Sequence, residues 1–260
     1  MANFSENRWQ ISARMGGKFR RNTQIGTLTD LGLKGMADAF REQLESVQYL
    51  ELSFEERFAM LVDREAMDRE ARRLATRLRA AKLRHQATIE DLDFHTPRGL
   101  ERSMIMGFSS SHWVDAHQNI LVTGPTGIGK SYLGCALAYA GIRSGHSALY
   151  RRAPALFADL AIARGDGRYL KVLGSLSRAE ILVIDDFGLT PLTGSEPSDL
   201  LEVLEDRSER KSTIVTSQLP VDSWHEALGD PTLSDAVLDR LLCNAHVIQM
   251  NGASMRTKKS

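Results

Sequence analysis

Cysteine is scarce in this chain: Cys135 and Cys243 are the only two among 260 residues. They lie far apart and lack metal-ligand spacing, which argues against a disulfide framework and against a thiolate metal site. Thiols so placed read as small buried apolar residues in a reducing compartment. Long hydrophobic runs are also missing. The longest, near GCALAYAGI, is far too short to span a bilayer. The basic N-terminus, MANFSENRWQISARMGGKFRRN, has no apolar stretch and so does not read as a signal peptide. Net charge is zero, with 33 basic and 33 acidic residues, and says nothing about partners. There is no internal repeat and no low-complexity tract. These absences together leave the expectation of a cytoplasmic protein with no membrane partner.

What is present is an ordinary globular composition, 42% apolar and 25% charged. The length suits one large domain, or a medium domain with a small companion. Residues 1–26 hold five basic residues and one acid with little periodicity. A flexible arm and a basic arm that touches nucleic acid both fit. Residues 27–94 read as a small all-α domain. LTDLGLKGMADAFREQLES offers Thr29 or Asp30 as N-cap, then Leu33, Met36, Ala37, Phe40 and Leu44 at helical spacing. In SFEERFAMLVDRE, Ser53 stands three residues before Glu56, a capping-box signature. Between Arg69 and Arg84 there are seven basic residues and one acid. Arg69, Arg73 and Arg77 fall one turn apart, as either a solvated face or a phosphate-binding one.

Beyond the linker FHTPRGLERSM the pattern changes. Short apolar runs at 119–123, 147–151, 180–185, 212–217 and 245–250 alternate with helical stretches. That alternation predicts an α/β domain over 95–260, with a mostly parallel five-stranded sheet between helical layers.

The first of these runs ends in GPTGIGKS, a full match to G-x-x-x-x-G-K-[ST] between a predicted strand and a predicted helix. Glycines let backbone N–H groups close around a phosphate chain, and the helix N-terminus adds attraction. Gly124, Pro125, Thr126, Gly127, Ile128, Gly129, Lys130, Ser131 and Tyr132 are the expected ATP-binding residues. Lys130 is expected on the β- and γ-phosphates and Ser131 on Mg²⁺. ILVIDDFG then sets two aspartates at the C-terminal end of a buried strand, where open α/β sheets bind ligands. Asp185 is expected to hold Mg²⁺ and Asp186 to orient or deprotonate the attacking water. STIVTS ends in Ser217 and Gln218, which read as γ-phosphate or water contacts or as a strand-end cap. Arg240, inside a predicted helix, is either a surface ion pair with Asp235 or Asp239 or an arginine finger.

With these motifs, and with RRLATRLRAAKLR, DFHTPRGL, IVTSQLP, LDRLLCNAHVI and NGASMR, the sequence resembles the IstB family of insertion-sequence ATP-binding proteins from about residue 27 onward. That family resembles the DnaC-type helicase loaders within the AAA+ ATPases. The resemblance implies a P-loop AAA+ three-layer domain, ATP and Mg²⁺ as cofactors, and a Mg-dependent ATPase that assembles into an oligomer on double-stranded DNA and assists a transposase. Lys130, Ser131, Asp185 and Asp186 take the Walker A and Walker B positions. Ser217 and Gln218 fall at sensor 1, where the family usually has Ser-Asn. Arg240 takes the arginine-finger position. Arg256 falls near sensor 2, although the Glu and Tyr that usually precede it are Ala253 and Met255 here. Arg164, Arg168 and Lys171 lie in the extra helices of this clade that face DNA, as phosphate contacts or a solvated loop. Rival readings are a replicative helicase loader and a P-loop kinase of small metabolites. Strands ending in Asp-Asp and Ser-Gln fit hydrolysis better than transfer to a metabolite.

Overall fold

The computed structural model describes residues 23–255. Arg256 and nearly all of the expected basic arm lie outside the described residues. The chain divides into two compact units, residues 1–75 and 76–260.

In the first unit, residues 23–30 are already helical (α1). Thr29 and Asp30 are therefore inside a helix and not at an N-cap, a correction to the sequence reading. Gly32, at φ 76°, turns the chain, and α2 runs Lys34–Glu45. The capping box forms as expected. Ser53 N–H donates to Glu56 Oε2 at 2.8 Å, Glu56 N–H donates to Ser53 Oγ at 3.2 Å, and α3 follows over Phe54–Ala81. Gly35 lets α2 approach α3, since a Cβ there would sit 2.9 Å from Arg64 O. Buried Glu65 accepts from Met36 N–H at 3.1 Å, where the positive end of α2 favours a carboxylate.

The expected boundary near residue 94 is displaced. The break falls within α3, and residues 76–94 belong to the second unit. Ala87 and Ile89 are buried there, and Glu90 pairs with Arg143 at 2.7 Å. Two short helices, α4 (Arg102–Gly107) and α5 (His112–Asp115), lead into the sheet. Then come β1 (Asn119–Thr123), α6 (Lys130–Arg143), β2 (Ala148–Arg152), α7 (Ala153–Gly165), α8 (Tyr169–Arg178) and β3 (Ile181–Phe187). The chain continues through α9 (Glu196–Arg207), β4 (Ser212–Ser217), α10 (Trp224–Leu228), α11 (Pro231–Leu242) and β5 (Ala245–Gln249). The strands are ordered β2-β3-β4-β1-β5, and every pairing is parallel.

Alternating strand residues feed two faces. Leu121, Leu182, Ile184 and Val215 pack with Leu156, Leu160, Leu200, Trp224 and Leu241 from α7 and α9 to α11. On the other face α6 lies directly on the strands. A Cβ at Gly134 would meet Thr216, Ile214 and Val183, and one at Gly141 would lie 2.2 Å from Ile181 Cδ1. Glycines one pair of turns apart thus set the helix–sheet distance. Cys135 is buried as expected, but Cys243 is exposed, because it lies just past the end of α11 and outside the core.

Candidate nucleotide site

The chain leaves β1 through three backbone conformations that disfavour side chains: Gly124 at φ 143°, Gly127 at 82° and Gly129 at 106°. Space is equally restrictive. A Cβ would lie 2.2 Å from Met250 O at Gly124, 2.2 Å from Ser254 Oγ at Gly127, and 2.9 Å from Arg98 Nη1 at Gly129. The C-terminal segment borders the loop, and Met255 N–H donates to Gly127 O at 2.9 Å. Behind the loop, buried Arg98 donates to Ile128 O at 3.0 Å and to Asp93 O. Asp93 steadies that turn by accepting from Thr96 Oγ1 at 2.6 Å and His95 N–H at 2.8 Å. The Thr96 hydroxyl, with the His95 and Thr96 amides, pulls the Asp93 carboxyl down to about 2.

Lys130 begins α6 and is 7% exposed. Its ammonium donates to Gly124 O at 2.7 Å and Pro125 O at 2.8 Å, folding it back over the loop. Ser131 Oγ donates to Asp185 Oδ1 at 2.7 Å, so the loop and β3 meet as expected. Asp185 is fully buried and heavily supported. Thr216 Oγ1 donates to the same oxygen, while Tyr150 OH donates to Oδ2 at 2.5 Å. Burial, then the Asp185 carboxylate, pushes the Tyr150 phenol well above its ordinary range, so it stays a donor. Arg84 Nη1 lies 3.5 Å from Asp185 Oδ2.

Asp186 takes a left-handed conformation, φ 60°, at a register shift between Ile184 and Phe187. Its N–H donates to Thr216 Oγ1 at 3.2 Å, and its carboxylate pairs with Arg152 at 2.9 Å and Arg84 at 3.7 Å. Thr216 therefore serves both acids. Gln218 Oε1 accepts from Thr126 Oγ1 at 2.5 Å, which links β4 to the loop. The Ser217 hydroxyl is buried, donating to Phe187 O at 2.8 Å and accepting from Leu219 N–H at 3.0 Å, which is strand-end capping geometry. Tyr132 packs its ring 6.0 Å from His85.

Other predicted residues lie elsewhere. Arg240 pairs with Glu205 of α9, and with neither Asp235 nor Asp239, and donates to Ala236 O at 2.8 Å. Asn119, the first residue of β1, donates its side-chain N–H to Arg240 O at 3.0 Å. The loop begins beyond the opposite end of that strand, roughly 15 Å away at the usual rise per residue. Arg69 pairs with Glu65 at 2.7 Å and Arg73 with Glu70 at 3.9 Å, whereas Arg77 belongs to the second unit. Arg164 pairs with buried Asp199 and lies 3.9 Å over the Tyr169 ring. Arg168 Nε donates to Asp166 Oδ2 at 2.8 Å, and Lys171 is exposed on α8.

Sequence reasoning missed Tyr150, Arg152, Thr216, Arg84 and Arg98. Arg152 stands at the carboxyl end of β2, so the rule that ligands bind at strand ends offered a signal for it. Arg84 and Arg98 sit in connecting chain and offered none.

The residues fit a nucleoside triphosphate with its metal. The glycines leave a cradle that any Cβ would crowd, and a hard hydroxyl and a hard carboxylate lie side by side. Among the described residues no group of three or more His, Cys, Asp or Glu could hold a metal alone. That suits magnesium, which takes one or two protein oxygens and completes its shell with phosphates and water.

A parallel sheet, a glycine loop leading into α6 and an acid pair on β3 define a P-loop domain of the AAA+ class. The model of the IstB-like ATP binding protein family matches residues 26–260, and the chain belongs to that family. It is 50% identical over 232 residues to a putative insertion sequence ATP-binding protein, y4pL, of Sinorhizobium fredii, covering 89% of this chain and 95% of the relative. Among solved structures, DnaI superposes with a TM-score of 0.56 at 21% identity, over 64% of this chain and 91% of DnaI. The DnaC helicase loader gives 0.53 at 18% identity, over 65% of this chain and 99% of that one. At these identities the likeness is one of fold. Among the described residues no helix is long and apolar enough to cross a membrane.

Proposed function

We propose that this protein is a cytoplasmic, magnesium-dependent ATPase that assembles on double-stranded DNA and assists a transposase in target selection. The observation that carries the reading is the contact of Ser131 with Asp185, with Asp186 next along the strand. The loop amides and Lys130 would bind the phosphates. Ser131 and Asp185 would hold the magnesium, which would neutralise phosphate charge. Asp186, whose backbone is left-handed at φ 60°, would be the base beside the phosphate chain. Gln218, hydrogen-bonded to loop residue Thr126, would sense the nucleotide.

Arg240 lies one strand length from the loop of its own subunit, too far for its side chain. That supports a finger working on a neighbouring subunit and hence an oligomer. DNA contact is assigned to surface cations: Lys171, exposed on α8, together with Arg69, Arg73, Arg77, Arg164 and Arg168. Arg256 remains the sensor 2 candidate. The insertion-sequence description of the relative supports a transposase as client over a replicative helicase. The test is phosphate release from ATP with and without magnesium and DNA. Magnesium-dependent release stimulated by DNA and by the companion transposase is expected. Phosphate transfer to a metabolite would overturn the reading.

A further inference from the structure

The acid pair faces two cations to which the nucleotide reading gives no role. Arg152 belongs to β2 and pairs with Asp186 at 2.9 Å. Arg84 comes from outside the sheet, three residues past the end of α3, and approaches both acids, at 3.5 Å from Asp185 and 3.7 Å from Asp186. Two adjacent carboxylates repel, and one of these is fully buried, so a counter-charge is required. The contacts of Asp185 show which group supplies it. Oδ1 accepts from the Ser131 and Thr216 hydroxyls, and Oδ2 accepts from Tyr150 and faces Arg84. Three of these partners are neutral. Only the arginine would be repelled by a divalent ion entering beside Ser131. The surrounding backbone is anchored, with Ala81, Ala87 and Ile89 buried and the His85 ring near Tyr132. The Arg84 side chain itself is 41% exposed.

We propose that Arg84 is a positioning residue, the built-in counter-cation of the acid pair. It holds Asp185 and Asp186 in place in the metal-free protein and gives way when the magnesium nucleotide loads. Tyr150 and Thr216 keep Asp185 oriented while the charges exchange. The inference rests on the nucleotide reading above, and the two fail differently.

The test uses the full chain with Arg84→Gln and Arg84→Lys, each checked for fold by circular dichroism. Manganese alone is the probe, followed by electron paramagnetic resonance on nucleotide-free protein. Losing a partly exposed cation beside two carboxylates should tighten manganese binding roughly five- to tenfold in Arg84→Gln. Arg84→Lys should return it toward wild type. Fluorescent ATP binding should need less magnesium in Arg84→Gln, with affinity in EDTA unchanged. Unaltered manganese affinity in folded Arg84→Gln would overturn the proposal. So would weakened ATP binding in EDTA, the signature of an arginine that binds phosphate. If Arg84→Gln does not fold, the neutral Arg84→Met carries the test: tighter manganese binding supports the proposal and unaltered affinity overturns it. If wild type binds no ATP under any condition, the nucleotide reading itself fails.

Discussion

Replacing Arg207 by Met should destabilise the second unit by about 2–4 kcal/mol, a value that follows from its partners. The guanidinium is 1% exposed and faces no carboxylate within ion-pair distance among the described residues. It donates to Leu176 O and Ala179 O at 2.7 Å each, to Thr213 Oγ1 at 3.1 Å, and to Ser212 O. The first two carbonyls end α8, where no intrahelical donor remains. Each buried carbonyl left without a donor costs about 1–3 kcal/mol, partly offset because a buried charge disappears. Met fills most of the volume, so a cavity contributes little. Urea unfolding followed by circular dichroism measures the loss, and the melting temperature should fall roughly 5–12 °C for a unit of this size. A change under about 1 kcal/mol would refute the view that Arg207 ties the end of α8 to β4 through these carbonyls.

Lys130→Ala should cut phosphate release by ~10²-fold or more without altering the melting curve; normal turnover would remove the P-loop assignment. Asp186→Asn should keep ATP affinity and lose hydrolysis, because on the proposed reading Ser131 and Asp185 would still hold the magnesium; fluorescent nucleotide titration beside a phosphate assay separates the two. Gly127→Ala should weaken ATP binding, since its Cβ would meet Ser254 Oγ at 2.2 Å and its φ of 82° is unfavourable for alanine; binding at wild-type strength would show that the C-terminal segment moves aside freely. DNA binding should weaken steeply with salt and show little sequence preference, measured by fluorescence anisotropy across salt concentrations. Lys171→Ala should lower that salt slope by about one phosphate contact.

The phosphate loop was legible because its pattern fixes residue types and its neighbours a strand and a helix. β3 was legible because a run of apolar residues ending in two acids admits few other readings. The capping box of Ser53 and Glu56 is a local contact, and local contacts are what sequence spacing records. Thr29 misled because a hydroxyl can cap a helix or bond back within one, and its Oγ1 donates to Ile25 O at 2.9 Å. The boundary near 94 misled because composition changes there, whereas packing breaks inside a helix whose periodicity runs on. Arg84, Arg98 and Tyr150 reach the site from distant chain segments. Nothing in their own neighbourhoods records that meeting.

The central claim is an ATPase completed between subunits, and one mixing experiment tests it most directly. On the proposed reading Lys130→Ala would lack a working pocket and keep its finger, while Arg240→Ala would keep the pocket and lack the finger. Phosphate release is measured on DNA for wild type, each variant, and an equal mixture of the two. Each variant alone should be nearly inactive, because a finger supplied in trans is worth about 10³–10⁵ in rate. Random mixing places an intact pocket against an intact finger at about one interface in four, so activity should return toward a quarter of wild type. A mixture as inactive as its parts, with co-assembly shown by cross-linking, would contradict the account.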